Sequence, residues 1–284
     1  MQNDRHTPAQ TSGTQHTLRL GYFDRTAVLP LLYPLQAGWV APQSPWTLTV
    51  ENCAPADVVS ALLEGGLDAG MVSPVALARH GSELSTVGGW GVASEGITEG
   101  AVLLAPQRLD LMDGAGAAIS QNAGDSIAEH LLRVLLKPYY DIDLTLNPPG
   151  APGYDPGGMR LLLGDEAASQ AQQKDDGWVA EDLGLALWVL TGLPVVWEIL
   201  AVPRGLESAK PGAEAVLKDL LVRSQRSAQE QRATILEEAA HRLGTKREKA
   251  KDILSRHTYT LGEKEQKGLA QFLDMASRAG ILRS

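Results

Sequence analysis

The sequence predicts an α/β protein of two lobes, between which the chain crosses twice. Three observations carry that prediction. Strand-like and helical segments alternate three times between Leu18 and His80, the pattern of a parallel sheet with right-handed crossovers. Five glycines among the thirteen residues from Gly88 to Gly100 read as a flexible crossing rather than a packed element. A second crossing is marked by Thr191-Gly192-Leu193-Pro194, where an apolar helix stops and a strand leads back.

Leu18 to Phe23 is apolar enough for a strand, and after Asp24-Arg25-Thr26 a helical run from Val28 to Gln36 ends near Gly38. Thr47 to Cys53 alternates in the manner of a strand. Pro55 and Asp57 then open a helix over Val58 to Glu64, since proline suits the first turn and an acid suits its positive end. Gly65-Gly66 stops that helix, Leu67 to Val72 reads as a short buried strand, and Ser73 precedes a helix from Pro74 to His80.

Beyond the first crossing the expected elements are strands Ala101–Leu104 and Ala117–Ser120, a helix Ser126–Leu136 and a strand Met159–Leu163. Four prolines and four glycines make Asn147 to Gly158 a loop. The apolar helix Leu183–Leu190 and the strand Val195–Ala201 flank the second crossing. From Pro211 the periodicity is amphipathic and helical, over Ala215–Arg226, Ala228–Leu243, Lys246–His257 and Glu263–Ala279. The first lobe is thus expected at 18–92 with 200–284 and the second at 93–199. The polar residues 1–17 are expected to be a disordered tail.

Composition narrows the function. In 284 residues, 34 acids outweigh 25 lysines and arginines, for a net charge of −9, which does not suit a nucleic-acid surface. Apolar residues at 44% and charged residues at 21% fit an ordinary folded protein. Cys53 is the only cysteine, so neither an intrachain disulfide nor a cysteine-rich zinc cluster is expected. The charge-free stretch Leu183–Trp197 is too short and too broken to span a bilayer. Met1 to Thr17 lacks the apolar segment of a secretory signal, which predicts a cytoplasmic protein.

In an open α/β sheet, ligands sit beyond the carboxyl ends of the strands, where helix N-termini present free N–H groups to anions. Thr26, Ser73, the segment Ser94–Thr98 and the segment Ser120–Ser126 fall at such places, and each has helix capping as its plainer explanation. Asp165 and Glu166 follow the strand Met159–Leu163, from which a carboxylate faces either a cleft or the N-terminus of the next helix. The six histidines show no HxxxH or HxH spacing, so no metal site is predicted, and His130 reads as a surface or interlobe residue. No GxSxG, Walker or GxGxxG motif occurs. Lys246 to Lys251 reads as a solvated helix face. The residues by themselves lead as far as a two-lobed α/β protein that binds a small anion.

Several segments taken together resemble the chorismate dehydratase family of the futalosine route to menaquinone. They are Leu63 to Ser73, Leu163-Gly164-Asp165-Glu166-Ala167, Asp182-Leu183-Gly184 with Trp188, and Thr191 to Val196. The ending, Tyr259 to Gly262, Gly268-Leu269, Phe272 and Gly280-Ile281, is similar too. The resemblance implies a fold like that of type II periplasmic binding proteins, and a cytoplasmic hydro-lyase converting chorismate to 3-[(1-carboxyvinyl)oxy]benzoate. It implies no cofactor and no metal, because aromatisation drives the reaction. The protein then holds the dianion, directs the departing hydroxyl and assists one proton transfer, for which a substrate carboxylate can serve. Thr26 and Asp165 are the implied catalytic residues, and Ser73, Ser94, Thr98 and Ser126 the substrate-binding ones. One departure stands out: Ala27 occupies the place of a family asparagine. The alternatives are the sister enzyme, 1,4-dihydroxy-6-naphthoate synthase, and a non-catalytic small-anion-binding relative.

Overall fold

A computed structural model describes residues 15–108, 111, 117–119, 127–147, 150, 152, 158–170 and 177–282. The chain opens with β1 (His16–Tyr22), a 3-10 turn at Thr26–Val28 and α1 (Leu29–Gln36). Next come β2 (Trp46–Asn52), α2 (Pro55–Leu63), β3 (Ala69–Val72) and α3 (Pro74–Arg79). β1 lies between β2 and β3 and is parallel to both, as the alternation predicts. Leu18, Leu20 and Tyr22 are buried, one residue in two along the strand. β1 starts before Leu18: His16 and Thr17, expected in the tail, pair with Trp46 and Thr47, and the His16 ring packs on the Trp46 ring.

β4 (Leu84–Ser94) corrects the largest misreading. Most of the glycine-rich segment expected as a flexible crossing belongs to this long strand, which pairs antiparallel with β10 (Val195–Pro203). Its glycines serve close packing. A Cβ on Gly91 would come within 2.4 Å of the Glu198 carbonyl oxygen and 2.7 Å of Leu261 Cδ1. Gly88 and Gly89 have positive φ, and the β4–β10 register shifts beside them, as at a β-bulge. The crossing itself is confined to residues 95–100.

It leads to β5 (Ala101–Ala105), β6 (Ala117–Ile119), α4 (Ile127–Tyr140) and β7 (Leu144–Leu146). β8 (Arg160–Leu163), α5 (Gly164–Gln170), β9 (Val179–Asp182) and α6 (Leu183–Thr191) follow. β5 is flanked by β8 and β9, both antiparallel to it, and β6 pairs in parallel with β7. β7 and β9 were not expected, since runs of three and four residues show no usable periodicity. β10 lies in the larger sheet along its whole length, including residues 195–199.

The C-terminal part contains α7 (Leu206–Ala209), α8 (Ala213–Glu230), α9 (Arg232–Arg242), α10 (Arg247–Ser255), β11 (His257–Thr260) and α11 (Glu263–Arg278). α8 lies along α1, and α11 covers β10 and α3. The expected helix Lys246–His257 ends at Ser255, and His257 instead opens β11 at the edge of the larger sheet, whose order is β11-β4-β10-β3-β1-β2. No helix among the described residues is long and apolar enough to cross a membrane.

Candidate functional site

The Asp182 carboxylate, at the end of β9, organises the first crossing. As N-cap of α6 it accepts the Leu185 N–H at 2.9 Å, a donor that a helix start leaves without an intrahelical partner. It also accepts the N–H groups of Thr98 at 3.0 Å and Glu99 at 2.7 Å, which ties the crossing to the helix. The Thr98 hydroxyl lies 3.4 Å from both of its oxygens. Burial pushes the carboxyl pKa up, while these N–H groups pull it down. Gly184 leaves the necessary room, because a Cβ there would stand 2.1 Å from Thr98 Cγ2.

A cavity of about 30 Å³ separates this crossing from the first lobe, roughly the space of one water. Arg25, Thr26 and Ala27 reach it from the turn before α1, and Gly164 and Asp165 from the start of α5. Thr26 and Asp165 join the two sides. The Thr26 N–H donates to Asp165 Oδ1 at 2.8 Å, and its hydroxyl donates to Oδ2 at 3.0 Å. Behind Ala27, the Tyr259 hydroxyl donates to the Ala27 carbonyl at 3.0 Å.

Three charged or titratable groups in the cavity wall keep bonding capacity in reserve. Arg25 Nη2 is 3.0 Å from Glu198 Oε2, but the two are not aligned as a hydrogen bond, so Arg25 Nε and Nη2 are buried donors without one. Burial raises the Glu198 pKa against the pull of Arg25. Glu99 adopts φ +52°, a left-handed conformation rare for a residue with a Cβ. Its Oε1 takes Lys249 Nζ at 2.5 Å and lies 3.5 Å from Arg256 Nη1, whereas Oε2 is buried without a hydrogen-bond partner. His257 Nδ1 is 3.0 Å from the Ile253 carbonyl oxygen. Desolvation, with help from the charges of Arg25 and Arg256, pushes its pKa down to about 4, so the ring is neutral near pH 7.

The profile of a menaquinone biosynthesis family matches residues 18–278. The chain belongs to that menaquinone biosynthesis family. No curated protein matches its sequence. Among solved structures, AF1704 from Archaeoglobus fulgidus aligns with a TM-score of 0.72 at 17% identity, over 95% of this chain and 100% of that one. The alkanesulfonate-binding protein SsuA from Xanthomonas axonopodis pv. citri, bound to MOPS, aligns at 0.63 and 15% identity over 96% of each chain. The periplasmic aliphatic sulphonate binding protein SsuA from Escherichia coli aligns at 0.62 and 15%, over 93% of this chain and 87% of its own. At such identities the likeness establishes the fold, which is the two-lobed periplasmic-binding-protein type that the resemblance implies.

In this menaquinone biosynthesis family member, the structure gathers part of the expected site. Thr26, Thr98 and Asp165 all line the cavity, and both threonines are buried. Ser94 stands one layer behind, where its Oγ accepts the Trp197 indole N–H at 2.6 Å, and Trp197 itself lines the cavity. Ser73 is a helix cap: its Oγ accepts the Ala76 N–H at 3.1 Å, and it does not line the cavity. Ser126 lies outside the described residues. Sequence reasoning did not select Glu99 and His257. Nothing local marks Glu99, whose left-handed backbone appears only in the structure, or His257, which the periodicity had placed at a helix end.

Proposed function

We propose that the protein is a chorismate dehydratase, a hydro-lyase that forms 3-[(1-carboxyvinyl)oxy]benzoate and water at the cavity between its lobes. The observation that carries this reading is the Arg25 guanidinium, whose buried donors lack hydrogen bonds inside a cavity shared by both lobes of a menaquinone biosynthesis protein. A substrate carboxylate is the natural partner for such donors, since guanidinium–carboxylate hydrogen bonds are charge-assisted. Glu99 Oε2, an acceptor in reserve, suits a substrate hydroxyl.

A cavity of about 30 Å³ is far below the roughly 300 Å³ or more of a typical small-molecule site, so this is a closed form that must open to load. Thr26 and Asp165, bonded to each other across the gap, are the contacts that part on opening and re-form around substrate. Closure then excludes water during the elimination. The test is incubation of purified protein with chorismate, followed by chromatography of the product. Loss of chorismate with appearance of the aromatic ether supports the reading. No turnover, or turnover of a cyclic nucleoside precursor instead, defeats it.

A second reading, binding without turnover, is favoured by Ala27. That residue lines the cavity where the family resemblance places an asparagine, and its methyl group offers no hydrogen bond to a leaving hydroxyl. Tight chorismate binding with no product, converted to turnover by Ala27→Asn, would establish it.

A further inference from the structure

A cavity of about 250 Å³ lies outside the interlobe site, between the end of α8, the start of α9, α10, Pro30 of α1 and Tyr259 of β11. Its volume is close to the roughly 300 Å³ at which small-molecule sites begin. Pro30, Ile235, Leu254 and Tyr259 give it an apolar wall, and Ile235 and Leu254 belong to a cluster of buried residues separate from the main core. The polar part of the wall is Gln225, Gln229, Arg232, Lys251 and Ser255, all hydrogen-bond donors, and among the described residues no carboxylate lines the cavity. In a chain of net charge −9 this is a local reversal of sign. Among the described residues, the side chains of Gln225, Gln229, Arg232 and Lys251 have no hydrogen bond or ion pair. A larger cavity of about 530 Å³ beside α4 differs on this point, because its Arg133 and Lys137 are already paired with its own Glu129 and Asp143.

We propose that this cavity is a second ligand site, which takes a small carboxylate with an apolar body and whose occupant acts on the interlobe cavity through α10. The apolar wall removes the body of such a ligand from water, and Arg232 and Lys251 offer its carboxylate charge-assisted hydrogen bonds. A cationic ligand meets two like charges there, and a neutral one leaves both unused. α10 and the turn after it border both cavities: Ile253 and His257 line the interlobe one, and Lys251, Leu254 and Ser255 line the second. Lys249 and Arg256 hold Glu99 of the crossing, and Tyr259, in the wall of the second cavity, donates to the Ala27 carbonyl in the wall of the first. An occupant that braces α10 and Tyr259 therefore steadies the turn at 26–28 and the crossing at 95–100, a coupling that runs in both directions. The site does not depend on the dehydratase reading, since the two cavities share no lining residue.

The test titrates the full-length protein by calorimetry with 1-naphthoate as probe and 1-naphthamide as its uncharged counterpart. The expected result is one 1-naphthoate bound per chain, with the amide at least about tenfold weaker. In the double variant Arg232→Gln, Lys251→Gln, both at exposed positions, 1-naphthoate affinity should fall at least about tenfold, whereas Arg25→Gln should leave it within about threefold. Backbone hydrogen exchange at 26–28 and 95–100 should slow when 1-naphthoate is bound. Absence of saturable binding, equal affinity for the amide, or undiminished affinity in the double variant overturns the site. Loss of binding in Arg25→Gln puts the probe in the interlobe cavity and overturns it as well. Binding with unchanged exchange at those two segments overturns the control exerted through α10. Failure to turn over chorismate defeats the dehydratase reading alone and leaves this site standing.

Discussion

Two threonines in this chain are gripped in the same way by two aspartates, one pair tying the first crossing to the start of α6 and the other spanning the cavity. Asp182 takes the N–H and hydroxyl of Thr98, and Asp165 takes the N–H and hydroxyl of Thr26. The difference lies in what else each carboxylate does. Asp182 also bonds the N–H groups of Glu99 and Leu185, so it is committed to the crossing and to the start of α6. Among the described residues Asp165 takes hydrogen bonds only from Thr26, and both donors come from the other side of the cavity. One clasp is therefore architecture. The other is the contact that the proposed opening would break, because the bonds it gives up are few and water or ligand can replace them.

The comparison is most open to attack through stability. Asp182→Ala strips acceptors from several buried N–H groups and should cost about 3 kcal/mol, whereas Asp165→Ala should cost about 1 kcal/mol, both read from urea denaturation. Equal losses would mean the two clasps are the same kind of structure. Next in size, Arg25→Gln should weaken chorismate binding by about 2 kcal/mol, roughly 30-fold, by calorimetry, since one charge-assisted contact is removed. Because that change strands Glu198, the double variant Arg25→Gln, Glu198→Gln should show the same affinity loss with stability recovered.

Smaller still is the effect of Asp165→Asn, which keeps one acceptor for Thr26 but drops the charge. Small-angle scattering of the unliganded variant should show a larger radius of gyration than wild type, and chorismate should remove the difference. Asp182→Asn should leave the radius unchanged if its clasp is wholly internal to one lobe. The smallest expected effect concerns pH. His257 has a folded pKa near 4 against an unfolded value near 6.5, so between those values the unfolded chain binds the extra proton. The stability contribution is complete above pH 6.5 and is lost as pH falls toward 4. His257→Asn should flatten that part of the curve relative to wild type.

Much of the fold was legible in sequence because its signals are local. Pro55 after a strand, Gly65-Gly66 after a helix and the burial of alternate residues in β1 each act over a few residues. β4 was misread because glycine density signals flexibility only when nothing presses on the backbone. Here Glu198 and Leu261, more than a hundred residues away, press on Gly91. β11 was missed for a related reason: four residues at a helix end become a strand because the β4 edge is there to pair with. Ser73 shows the opposite outcome, a polar residue at an apparent ligand rim whose hydroxyl is spent on its own helix.

The chain's own order of residues determined the alternation of strands and helices, the two crossings and the helix that begins at Leu183, since propensity, capping and periodicity operate between near neighbours. Only the tertiary structure decided that Thr26 meets Asp165 at a separation of 139 residues, that Arg25 lines the cavity with buried donors that lack hydrogen bonds, and that His257 lines it as a neutral ring. Those facts depend on which groups are buried together and which bonds remain unmade after packing, and neither quantity exists until distant segments share a volume from which water has been removed.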